Sequence, residues 1–202
     1  ANIPLYIWDP RYGIKNEVRR ALVQTIDIVP TIYNFFNVPV PSTVLGKDLS
    51  PVIKADEQIR DTALYGSHGG NLNCRYKDYV YMLAPDDKKP IYNYTLDCYH
   101  MVKPFTQEEL EDSTLVGPFD YTNGYRILKV KKIKPKNQSS QLNLGTFLYD
   151  LKKDPQMNNP FRDEKVESEI KGKIIECMEE NEIPEEVYER FGLDHDIKGE
   201  KR

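Results

Sequence analysis

The sequence predicts an α+β fold: an antiparallel sheet of about four strands packed with a C-terminal amphipathic helix, preceded by one further strand and helix. Three observations predict it. Ile28, Ile32, Phe35 and Phe36 recur at i, i+4, i+7 and i+8 and so share one stripe of a helix. Short aromatic and β-branched runs, Thr62-Ala63-Leu64-Tyr65, Tyr79-Val80-Tyr81-Met82 and Phe147-Leu148-Tyr149-Asp150, read as strands. The stretch 163–180 sets Val166, Ile170, Ile174, Cys177 and Met178 on one face and its Glu and Lys residues on the other.

In chain order, Leu5-Tyr6-Ile7-Trp8 predicts a short strand covered on both faces, closed by Asp9-Pro10. The helix 27–36 starts near Asp27, with Thr25 or Asp27 as the N-cap and Pro30 in the first turn, where its missing N–H costs little. Asn37 accepts the left-handed conformation that ends a helix, and Val38-Pro39-Val40-Pro41 forces an extended exit. A glycine-rich loop, Gly66-Ser67-His68-Gly69-Gly70, follows the strand 62–65, and Tyr76 and Tyr79–Met82 form a hairpin around Lys77-Asp78. Ile91-Tyr92-Asn93-Tyr94 adds a strand. Phe105-Thr106-Gln107-Glu108-Glu109-Leu110 is a complete helix start, with Thr106 as N-cap, Glu109 closing the capping box, and Phe105 with Leu110 as the staple. Asn123-Gly124 is a turn, 125–131 a strand, 135–143 a polar loop, and Pro184 and Gly192 frame a last helix, 185–191. The tail from Asp194 is expected to fray.

With 202 residues, 39% hydrophobic and 30% charged, the chain can bury a core without staples, and no apolar run approaches the roughly 18 residues that span a membrane. The net charge of −4 argues against nucleic-acid binding. The local run Lys129, Lys131, Lys132, Lys134 and Lys136 reads as a solvated edge strand guarded by lysine. Cys74, Cys98 and Cys177 are odd in number, widely spaced and without a C-x-x-C pair, which predicts reduced thiols, no zinc site, and favours a bacterial cytoplasm.

Two segments carry a resemblance. The pattern Ile26-Asp27-Ile28-Val29-Pro30-Thr31-Ile32, a short Pro-containing link, then Gly46-Lys47-Asp48-Leu49-Ser50-Pro51 resembles the segment after the catalytic core of type I sulfatases (the arylsulfatase family) of the alkaline phosphatase superfamily. Leu148-Tyr149-Asp150-Leu151-Lys152-Lys153-Asp154-Pro155-Gln156-Met157-Asn158-Asn159 is similar to that family's C-terminal motif, departing from it at Met157, where Glu is usual, and at Pro160, where Leu is usual. The resemblance runs from Leu5 to about Leu193 and covers only the C-terminal part of a sulfatase. It implies that residues 1–54 are a remnant of the catalytic domain and 55–202 a C-terminal subdomain. It also implies a sulfuric ester hydrolase as the parent, using formylglycine and a divalent cation (Ca), with sulfate esters as substrate and the missing catalytic half as partner. The same subdomain would fit a phosphonate monoester or phosphodiester hydrolase, and a freestanding interaction module is a third possibility.

The chemistry of the family needs Cys/Ser-x-Pro-x-Arg for the nucleophile and Asp/Asn oxygens for the cation. None of the three cysteines stands in that motif, so the chain alone is expected to have no catalytic residues, no metal ligands and no turnover. Asp86-Asp87 lies in a polar link beside Lys88-Lys89 and reads as an exposed turn. His68 is the best ligand-facing candidate, since a glycine-rich loop lets the backbone approach a ligand and a neutral imidazole can donate to an anion. The family's use of C-terminal loops in substrate selection adds Asn71 and Asn73 as cleft candidates. His100 reads as structural and His195 as solvated. The apolar stripe of helix 27–36 is expected to be covered by the strand 5–8 or by a second copy of the chain, which would make a homodimer.

Overall fold

In the computed structural model, the structure describes residues 3–100, 102–132 and 144–193. The chain falls into two compact units, Ala1–Ala63 and Leu64–Arg202, and β1 (Thr62–Gly66) carries it from the first into the second.

The first unit is built around one helix, α1 (Ile28–Phe35), preceded by a 3-10 turn over Thr25–Asp27. Pro30 sits in its first turn and is buried, as its position requires. Asn37 takes φ +54°, and the N–H of Val38 donates to Tyr33 O at 2.9 Å, closing the helix in a left-handed cap. The N-cap expectation fails, because neither Thr25 nor Asp27 caps α1 with its side chain. The Asp27 carboxylate is fully buried and accepts bonds from the backbone N–H of Gln24 (2.7 Å) and Lys47 (2.8 Å) and from the Arg60 guanidinium. Thr31 Oγ1 donates to Asp27 O and accepts from Leu49 N–H at 2.9 Å. Gly46 lies against Ile26, and a Cβ there would stand 2.1 Å from Ile26 O. These bonds lead into α2 (Ser50–Ala55) and bury Leu49 and Val52.

Two further expectations for this unit are corrected. Residues 5–8 form no strand, and all four are exposed. A strand is held by ladder bonds to a neighbour, and this segment has none. That segment does not cover the apolar stripe of α1 either: among the described residues Ile32 is 52% exposed and Phe36 68%, so of the two expected covers it is the strand 5–8 that is corrected. The side of α1 that is used is the polar one, where Asp27 and Thr31 tie it to residues 46–49. Arg11 lies over the Phe35 ring at 4.7 Å.

The second unit is α+β with two antiparallel sheets. The larger has strand order β1-β2-β3-β7, with β2 Leu72–Tyr76, β3 Tyr79–Leu83 and β7 Phe147–Asp150. The register pairs Cys74 with Tyr81 and Tyr81 with Leu148, so these three side chains share a face. On that face lies α4 (Glu164–Glu180), which buries Ile170, Ile174, Ile175 and Met178, while α5 (Glu185–Phe191) adds Tyr188. Asp163 caps α4 through the N–H groups of Lys165 and Val166. Val80 and Tyr149 are buried on the sheet's other face.

The smaller sheet, order β4-β6-β5, joins β4 (Tyr92–Thr95), β5 (Thr114–Val116) and β6 (Ile127–Lys131). Here β6 is the central strand, which corrects the reading of its lysines as guards of an edge. Lys129 pairs with Glu186, and its ammonium lies 4.3 Å from the Tyr92 ring centroid. The predicted helix start is α3 (Gln107–Glu111), with the Thr106–Glu109 capping box formed. Lys134, Lys136, the loop 135–143, His195 and the tail lie outside the described residues.

Candidate functional site

The glycine-rich loop joins β1 to β2. The N–H of Gly70 donates to Ser67 O at 2.8 Å, and Gly69 takes φ +84°, which favours glycine there. A Cβ on Gly69 would stand 2.8 Å from Ile91 Cδ1, so the loop lies directly on the residue before β4. This places His68, exposed, with Nε2 3.0 Å from Tyr92 O. A carbonyl only accepts, so Nε2 is the donor in this bond.

Asn71 and Asn73 serve other partners. Asn71 is buried, donates from Nδ2 to Gly145 O (2.7 Å) and accepts the N–H of Leu144 at Oδ1 (3.0 Å), clamping the start of the segment that leads into β7. Asn73 donates to Tyr65 O at 3.2 Å, across the β1–β2 pair, while its Oδ1 is buried without a hydrogen-bond partner among the described residues. The three candidates thus hold three different segments, and of the three only His68 is exposed.

Arg190, on α5, organises this region and was not singled out in the sequence. Its side chain is buried and donates to Asp86 O (3.0 Å), Lys89 O (2.7 Å) and Gly69 O (3.1 Å). One guanidinium thereby pins the glycine loop to the turn 86–89. Burial pulls Arg190 below the ordinary guanidinium value, and Asp87 and Asp86 pull the other way. Nothing in the sequence distinguishes an arginine in the last turn of a short helix from one that merely complements the helix dipole.

Beside the loop opens a cleft of about 660 Å³. It is lined by Asp87, Lys88 and Lys89 of the turn, by Pro90 and Ile91, by Lys131 and Lys132 at the end of β6, and by Glu108, Glu109, Glu111 and Asp112 of α3 and its end. The ladder fixes the backbone of these lysines: Tyr92 stands opposite Lys131, and the N–H of Lys132 donates to Ile91 O at 2.8 Å. Glu109 is already engaged. It accepts Thr106 N–H at 2.8 Å and lies 3.0 Å from His100 Nε2. The Thr106 amide, offset in part by burial and helped by His100, holds the Glu109 carboxyl below its ordinary value. His100 is therefore a structural residue, packed at 4.3 Å on the Phe105 ring.

Glu186 takes a short bond from Tyr94 Oη and pairs with Lys129. Burial pushes its carboxyl up, but these two partners outweigh it and the net shift is downward. Burial and the same bond push the Tyr94 hydroxyl well above its usual range.

The residues present do not fit the cation that the resemblance implies. Asp86 Oδ1 accepts Lys88 N–H at 2.9 Å, Asp87 lies 3.8 Å from the Arg190 guanidinium, and among the described residues no group of three or more His, Cys, Asp or Glu is placed to hold a metal ion. Cys74, Cys98 and Cys177 form no disulfide among these residues. No helix among them is long and apolar enough to cross a membrane. No model of a known protein family matches the chain, and no curated protein matches it.

Proposed function

We propose that the chain is the C-terminal portion of a type I sulfatase, which completes the catalytic domain and shapes the substrate cleft but does not hydrolyse sulfate esters alone. The observation that carries this reading is the first unit's inverted surface. Its folding uses Asp27, Thr31, Gly46 and Leu49, the very positions of the sulfatase-like motif, while Leu5, Tyr6, Ile7, Trp8, Ile32 and Phe36 are exposed. An apolar face of this kind marks a surface made to be covered, and the proposed cover is the catalytic half, with the segment 5–8 supplying a strand to its sheet. In the second unit His68 faces the substrate through Nδ1, and Asn71 and Arg190 hold the segments around it.

The test is to read the coding sequence upstream of Ala1. An in-frame Cys/Ser-x-Pro-x-Arg motif is expected. A start codon near Ile3, or a long upstream frame without that motif, overturns the reading.

A further inference from the structure

Glu186 and Arg190 of α5 stand four residues apart, the spacing at which a helix pairs a carboxylate with a guanidinium. Among the described residues they do not pair. Glu186 takes the Tyr94 hydroxyl and the Lys129 ammonium of the smaller sheet, while Arg190 donates to Gly69 O of the glycine loop and to Asp86 O and Lys89 O of the turn. A return bond from Asp86 N–H to Arg190 O at 2.7 Å fixes the same turn. Beside these two residues, Val187, Tyr188 and Phe191 pack on the core that the larger sheet makes with α4. One short helix thus ties the smaller sheet, the glycine loop and the larger sheet's core together.

The contacts close into a ring. From α5 the Glu186–Tyr94 bond leads to β4, the Tyr92 carbonyl of β4 takes His68 Nε2 at 3.0 Å, and Gly69 O, one residue on, leads back to Arg190 at 3.1 Å. No part of the ring is strong by itself. With seven residues α5 is too short to hold as a helix without tertiary contacts, and β4 is a four-residue strand at the edge of its sheet. Elements of this kind open together and at lower cost than a core helix. The structure assigns to α5 the role of a latch on the glycine loop, which holds His68 on Tyr92 O only while α5 is seated on β4 and β6. Unseating α5 at Glu186 then frees a histidine that Glu186 does not touch. Coupling between two sites is reciprocal, so a ligand that engages His68 in the seated loop tightens α5 in turn. The latch goes beyond the sulfatase reading and holds for any ligand that His68 meets.

The test is the rate at which diethyl pyrocarbonate labels His68 in the whole chain, followed by mass spectrometry with His100 as the internal reference. Glu186→Gln and Arg190→Lys are each expected to speed His68 labelling severalfold relative to His100. The double variant should label no faster than the faster of the two, because both changes open one latch. An unchanged rate in Glu186→Gln, or single effects that multiply in the double variant, overturns the latch. The unaltered chain gives a second reading that does not depend on how the variants fold. As urea is raised below the unfolding transition, labelling of His68 and hydrogen exchange of the Leu193 amide, which donates to Tyr188 O at 3.0 Å, should rise together. His68 labelling that rises while the Leu193 amide stays protected contradicts the proposal. Neither measurement reads hydrolysis, so an upstream frame without the nucleophile motif would end the sulfatase reading and leave the latch standing.

Discussion

Asp27 is a buried carboxylate whose bonds reach residues 24, 47 and 60, and its value to the fold lies in that reach. Its partner Arg60 is itself almost covered, with Nε buried and unbonded among the described residues. Removing one member of a buried pair leaves the other uncompensated. Asp27→Ala should therefore destabilise the first unit by about 3–5 kcal/mol, seen as a lower denaturant midpoint for the signal of Trp8; an unchanged midpoint would show the pair to be dispensable. Gly46→Ala forces a methyl group against Ile26 O and should cost about 1–3 kcal/mol, measured the same way. In the second unit, Asn71→Ala removes its bonds to Gly145 O and Leu144 N–H and should cost about 1–3 kcal/mol. A thermal melt of the variant checks it.

Among the elements, α3 is short and depends on its capping box. Glu109 is held below its ordinary value by the Thr106 amide and by His100. A group with a depressed folded value contributes stability that is present above its unfolded value and is lost as pH falls through the folded one. The Phe105–Glu111 region should thus loosen on acidification below the ordinary carboxylate range, and Glu109→Gln should flatten that dependence. Hydrogen exchange of the α3 amides against pH measures both. The elements that were legible in the sequence are those whose signals are local. Thr106 and Glu109 are three residues apart, Asp163 caps its own helix, and the stripe of α4 needs only its period. The strand 5–8 was misread because apolar continuity reports what a segment would bury, while a ladder needs a partner that the sequence of the segment cannot supply. The lysines of β6 were misread for a related reason. Whether a strand is edge or centre depends on β5, a three-residue strand that carries no pattern of its own.

At the scale of the whole molecule, the site was legible only as far as its loop. Gly66 to Gly70 announced a close backbone approach, which Gly69 makes to Ile91, and His68 on that loop is exposed with Nε2 on Tyr92 O. Asn71 and Asn73 are sequence neighbours of His68, but Asn71, just before β2, bonds residues 144 and 145, while Asn73, within β2, bonds Tyr65 of β1. Arg190 and the walls of the cleft come from segments far apart in sequence, and no local pattern joins them. The two motifs of the resemblance fare differently. The first is a set of folding contacts, Asp27 to Lys47 and Thr31 to Leu49, and the second is β7 with the turn in which Asp154 accepts Asn159 N–H at 2.7 Å. Both give these residues a folding role in this structure.

The most direct measurement is sulfate release from an aryl sulfate by the 202-residue chain, alone and joined to the sequence encoded before it. The account predicts no release by the chain alone and release by the joined protein. Turnover by the chain alone, or a joined protein that carries the Cys/Ser-x-Pro-x-Arg motif with formylglycine formed and still releases no sulfate, would contradict it.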